Sequence, residues 1–182
     1  MTSDSPPDAF APLRQDAEAF LAAMAEATYQ HGAGLKPVPP LAPLYKRFGR
    51  LASPALHQEV REAWVAAPEG PERARLRALA EFTARHLLEA AVAPLRDRLA
   101  AAEAAAVLRV EGRATPFPDV EEVLRDEPDR TMRGRIEAAR AEVLRAVSPL
   151  RAELLARLQD GAAALGNPGV ARLSRALGPA DQ

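Results

Sequence analysis

The three histidines, His31, His57 and His86, and a run of carboxylates between Asp119 and Asp129 are the side chains of this chain with the most chemistry to offer. A zinc peptidase needs two imidazoles one helical turn apart with a glutamate between them, because only that spacing turns both rings onto one metal. No pair of histidines here has it. A di-iron bundle needs a glutamate three residues before a histidine, and Pro54 and Thr83 occupy those positions before His57 and His86. His57 does have Glu59 and Glu62 nearby, and His86 has Glu89. The expected setting for both is a solvated helix face. With no cysteine, disulfides and thiolate metal sites are excluded, and a reducing compartment is permitted.

The carboxylates Asp119, Glu121, Glu122, Asp126, Glu127 and Asp129 could support general acid-base work or bind a divalent cation. Acidic side chains also complement the positive end of a helix, and Asp126 or Glu127 just before Pro128 is placed to cap one. Capping is the preferred reading. No serine sits on the strand-to-helix elbow that a nucleophile requires. Gly32-Ala33-Gly34 follows a helical pattern and reads as a helix stop rather than a phosphate loop. The stretch Leu154 to Leu177 could pass for a helix-turn-helix with Arg172 and Arg175, but Pro168-Gly169-Val170-Ala171 offers no base-reading side chain. The expectation is therefore no catalytic, cofactor-binding or metal-binding residue.

The elements around these residues are helical. The 182 residues are rich in alanine, leucine and arginine, which are strong helix formers, and aromatics make up only 4% of the chain. Basic and acidic side chains number 24 and 25 and are interspersed, so nucleic acid and anionic membrane are not expected partners. No secretory signal and no long apolar span is visible, which makes the cytoplasm the expected location. Many of the 17 prolines stand where helices begin, as in Ser53-Pro54, Ser148-Pro149 and Asn167-Pro168.

Periodicity predicts a first helix over Pro12 to Tyr29, burying Phe10, Leu13, Ala17, Phe20, Leu21, Met24 and Thr28. An extended stretch from Lys36 to Pro43, a short helix over Leu44 to Leu51 and another over Pro54 to Ala67 follow. A long tract opens at Gly70-Pro71 with a stripe of Leu76, Leu79, Ala80, Thr83, Leu87, Ala91 and Val92, and Pro94 should kink or split it. Val107 to Val110, Glu111-Gly112 and Arg113 to Phe117 read as a β-hairpin. A short helix over Pro118 to Arg125 comes next. A longer one from Glu127-Pro128 buries Met132, Ile136, Ala139, Val143 and Val147, and a separate helix from Pro149 carries Leu150, Leu154, Leu158, Ala162 and Leu165. These last two stripes are expected to pack on each other across a tight corner, and a final helix spans Pro168 to Leu177. The predicted fold class is all-α, a multi-helix antiparallel bundle with one short β-hairpin near residues 107–117. It forms a single helical domain over residues 11–178, between a disordered tail at 1–10 and a frayed one at 179–182.

The order of Leu108-Arg109-Val110-Glu111-Gly112, Glu127-Pro128-Asp129-Arg130, Arg133 to Ala138 and Ala164-Leu165-Gly166 resembles the N-terminal helical region of the thimet oligopeptidase and oligoendopeptidase F group of zinc metallopeptidases. Asp129-Arg130, Arg133 and Leu165-Gly166 match that pattern, whereas Asn167 stands where an aromatic is usual. The resemblance implies a lobe that walls one side of a peptide channel, with the His-Glu-x-x-His helix lying far downstream of Gln182. No catalytic residue transfers. Asp129, Arg130 and Arg133 are expected to form a buried or half-buried ion-pair cluster fixing the hairpin to the helix start.

Three readings follow. The first is a non-catalytic, oligopeptidase-like domain that meets a peptide or a protein partner, such as a missing catalytic part. The second is a self-contained scaffold or homodimer, paired through the stripe from Leu76 to Val92. The third is a hydrolase using the carboxylates from Asp119 to Asp129 with a divalent metal.

Overall fold

The computed structural model describes residues 9–33, 35 and 40–166. Among these the fold is all-α, with six α-helices and one small antiparallel sheet of two strands. The proposed helix at Pro168 to Leu177, the tail at 179–182 and nearly all of the proposed N-terminal tail lie outside the described residues. The helices are α1 (Ala11–Gly32), α2 (Leu41–Arg47), α3 (Pro54–Ala66), α4 (Pro71–Ala105), α5 (Val120–Asp126) and α6 (Arg130–Ala164). The described residues group into two compact units: those up to Ala93 together with Leu158 to Gly166, and Pro94–Arg157.

In the first unit, Leu13 and Phe20 of α1, Leu51, Val60 of α3, and Leu79 and Ala80 of α4 make the buried core. Phe10, Met24, Leu44, Tyr45, Phe48, Leu56, Trp64 and Phe82 pack around it. Proline starts α1 and α3 as expected, and the Ser53 hydroxyl accepts the Leu56 N–H at 3.3 Å to cap α3. α2 begins at Leu41, three residues earlier than the sequence suggested, and gives way to a 3-10 turn at Gly49–Ala52. The α1 face is narrower than predicted, since Leu21 is 54% exposed and Thr28 is also exposed. A smaller cluster joins Leu88 of α4 to Ala162 of α6, flanked by Leu158 and Leu165.

In the second unit, β1 (Val107–Val110) pairs with β2 (Arg113–Pro116) in the register Val107 to Pro116 and Val110 to Arg113. The turn residues Glu111 and Gly112 both have positive φ, 49° and 81°, the twist that a two-residue hairpin demands. The hairpin buries Leu108 against Val120 of α5 and Ile136 of α6, with Met132, Ala139 and Val143 beside them.

Helix α4 runs unbroken through Pro94, so of the expected kink or split the split does not occur. The separate helix expected from Pro149 is not formed, because α6 runs unbroken through that residue. The stripes from Met132 to Val147 and from Leu150 to Leu165 therefore succeed each other along one 35-residue helix, about 52 Å long at the usual rise per residue, and cannot pack together. Ser148-Pro149 looked like a cap and corner because that pair commonly starts helices. Here Pro149 lies on the exposed side of a helix whose buried residues resume beyond it, Val147 before and Ala162 after.

Helix α6 also contains two glycines in contrasting settings. A methyl group at Gly134 would meet nothing within 4 Å, whereas one at Gly161 would lie 2.6 Å from Cδ2 of the buried Leu88. Alanine is favoured over glycine in a helix by about 0.8–1 kcal/mol, while overpacking a core contact costs about 1–3 kcal/mol. Gly134→Ala should raise unfolding free energy in urea by about 0.5–1 kcal/mol, and Gly161→Ala should lower it by about 1 kcal/mol.

Candidate functional site

Both histidines expected on solvated faces are buried: His57 is 7% exposed and His86 is 3% exposed. The spacing contains the reason. His57 lies one turn before the buried Val60 on α3, and His86 lies one turn after the buried Thr83 on α4, so each belongs to its helix's inner stripe. The sequence places Thr83 on that stripe, and its spacing to His86 is the signal that puts the histidine there too. His31, in the last turn of α1, is exposed.

The two buried rings are held differently. Thr83 Oγ1 lies 3.1 Å from the Ala80 carbonyl oxygen and 2.9 Å from Nδ1 of His57. The hydroxyl has one proton, so when it donates to Ala80 it accepts from a protonated Nδ1 of His57, and when it donates to Nδ1 the ring proton is on the other nitrogen; either way the ring has a partner. Burial pushes the His57 imidazole below the ordinary histidine range, and the Arg61 guanidinium adds to the shift. His86, by contrast, finds no hydrogen-bond partner for either ring nitrogen among the described residues. Its neighbours are rings: Phe20 edge-on at 4.5 Å, Tyr45 at 4.9 Å and Phe82 stacked at 5.6 Å between centroids. Burial lowers its pKa too, with the Phe48 backbone acting in the opposite direction.

Beside His86 opens a cleft of about 260 Å³, lined mainly by apolar surface from Phe20, Leu21, Tyr45, Ala78 and Phe82. Glu81, Arg85 and Glu89 border it from α4. The Glu81 carboxylate is held by Arg77 at 2.9 Å. Such a cleft can receive an apolar group beside a polar imidazole.

The acidic stretch is spread over a cleft, a helix start and a cap. Asp119, Glu122, Asp126 and Glu127 line an open cleft of about 390 Å³ with Arg113. Among the described residues no group of three or more His, Asp or Glu side chains is placed to hold a metal ion. Glu121 and Glu122 lie in the first turn of α5, and Glu121 pairs with Arg140 of α6. The cap of α6 is Asp129, whose Oδ1 accepts the Thr131 N–H at 2.8 Å, while Glu127 Oε1 accepts the Asp129 N–H at 3.1 Å.

The cluster expected from Asp129, Arg130 and Arg133 is not formed. All three side chains are exposed, and the Arg133 guanidinium donates to the backbone carbonyl of Glu127 at 2.9 Å. With Asp129 occupied by the first-turn amide, its carboxylate is turned away from a residue one turn on. The ion pair joining the hairpin turn to α6 is Arg135 with Glu111, and it is solvent-exposed, where such pairs contribute little.

No family model matches this chain, and no curated protein and no solved structure matches it either. None of these comparisons therefore links it to the oligopeptidase group.

Two outcomes are expected. Asp129→Ala removes the α6 cap and should cost about 1 kcal/mol, a fall of about 2–4 °C in Tm for a domain of this size. Because both buried imidazoles titrate below the ordinary value of about 6.5, the unfolded chain takes up protons first as the pH falls. Stability is thus complete above that value and drops below it. The urea midpoint should decline between about pH 7.5 and 5.5, and His86→Phe should flatten the decline.

Proposed function

We propose that this chain is a non-catalytic helical interaction module, and that the cleft beside His86 receives a side chain of a peptide or protein partner. The carrying observation is the cleft itself. Its three ring walls, with the exposed Leu21 at the edge, form an apolar recess in a unit whose other large side chains are largely packed together. At about 260 Å³ it falls below the roughly 300–1,000 Å³ typical of cofactor and drug-sized sites, and it suits a single side chain. Apolar anchors seated in such recesses supply much of the energy of a small interface.

The resemblance to the oligopeptidase N-terminal region suggests what the partner is: a polypeptide carrying the zinc helix, or a peptide in its channel. On the same footing we place the module in the cytoplasm, without nucleic acid or membrane as partner. No helix among the described residues is long and apolar enough to cross a membrane. The scaffold reading in its dimer form is weaker, because Leu76, Leu79, Ala80, Thr83 and Val92 are already buried in the protein's own packing. Of that stripe only Leu87 and Ala91 remain accessible to a second copy.

Toluene, the phenylalanine side-chain analogue, tests the reading directly. Titrated into ¹⁵N-labelled protein, it should move the amide signals of Leu21, Tyr45, Phe82 and His86 and leave those of the hairpin in place. No shift at saturating toluene, or shifts spread evenly over the chain, would overturn the cleft as the site.

A further inference from the structure

Resting on the cleft as the binding site, we propose that it selects a partner's aromatic side chain bearing a hydrogen-bond donor, tyrosine or tryptophan, which donates to a ring nitrogen of His86. The argument starts from the cost of the imidazole. A buried polar group without a partner forfeits about 1–3 kcal/mol, and His86, at 3% exposed, leaves both nitrogens in that condition among the described residues. An apolar side chain would fill the same space without that cost. A leucine or phenylalanine at this position would serve the core of the unit better than a histidine does.

The Phe48 backbone acts on the ring as a carbonyl facing its N–H, but without hydrogen-bond geometry, and it can do nothing for the lone pair of the other nitrogen. Phe20 and Phe82 offer only their edges and faces, and the Glu81 carboxylate is engaged by Arg77. An uncharged imidazole has one N–H and one lone pair. A phenol or indole that slides between the aromatic walls supplies the missing donor and fills apolar space in one movement. Both nitrogens are sealed from solvent behind the packed rings. Reaching them requires a lining side chain of the cleft to move, and among the lining residues Leu21 is 54% exposed and Phe82 partly exposed.

The proposal separates ligands of nearly equal shape. p-Cresol and 4-methylanisole carry the same ring and an oxygen in the same place, but only p-cresol donates. Toluene is the most apolar of the three, so burial alone ranks it above p-cresol. We expect p-cresol to bind about tenfold more tightly than either analogue, as one buried hydrogen bond warrants. The His86 ring ¹⁵N signals should move with p-cresol and stay in place with toluene. In His86→Phe the preference should vanish while toluene still binds. The ring ¹⁵N measurement on the unaltered protein decides the matter should that variant not fold.

Equal or weaker binding of p-cresol, with the His86 nitrogen signals unmoved, overturns this inference and leaves the cleft standing as an apolar site. Failure of all three compounds to bind overturns the cleft itself.

Discussion

A proline inside a helix deprives the backbone of one hydrogen bond and crowds the carbonyl four residues earlier, a cost of about 3 kcal/mol or more. This chain sustains that cost twice, at Pro94 in α4 and Pro149 in α6, and the arrangement of its core follows from how. Both prolines lie on the exposed side of their helices, so the carbonyls of Ala90 and Arg145 that they displace can turn toward water. The buried positions around Pro94, namely Val92, Ala93 and Leu95, keep their packing. Apolar burial on the inner face outweighs a defect confined to the outer one. The division between the two compact units falls at Pro94 itself.

Scarcity of aromatic side chains shapes the first unit. The chain has five phenylalanines, two tyrosines and one tryptophan, and Phe20, Tyr45, Phe48 and Phe82 gather in one place. Rings in edge-to-face and tilted contact contribute beyond their buried area, and here they enclose an imidazole rather than another hydrocarbon. His57, a neighbour in the same unit, shows the ordinary solution for such a group: a hydroxyl within hydrogen-bond distance of its ring nitrogen, held in turn near a carbonyl. His86 departs from that solution and sits at an aromatic-walled cleft, which is why it carries the functional reading.

The second unit is built with different means. Its hairpin turn adopts positive φ at two successive residues, one of them Glu111, and its apolar side chains pack against α5 and α6. The charged residues around it, Glu111 with Arg135, Glu121 with Arg140 and Glu103 with Arg151, pair across elements at exposed positions. Such exposed pairs add little to stability. The acidic character of α5 is accounted for by helix-end electrostatics and by these pairings.

Local signals settled most of the elements in advance. Helix-forming composition, apolar spacing, the cap at Ser53, the glycine at position 112 and the two-residue turn are each decided by a few neighbouring residues, so the helices, the hairpin and the faces of α4 and α6 could be read from the chain alone. Three matters could not. Whether a proline ends a helix depends on which side of it is buried, and that became known only when Pro94 and Pro149 were found facing outward. Whether Asp129 meets Arg133 or a backbone amide depends on where α6 begins, a difference of two residues that periodicity does not resolve. The nature of His86 was set by partners from α1 and α2, far away in sequence: its own neighbours on α4 place it inward, but only the packing of Phe20 and Tyr45 against it makes it an unpartnered polar group at the edge of a cleft.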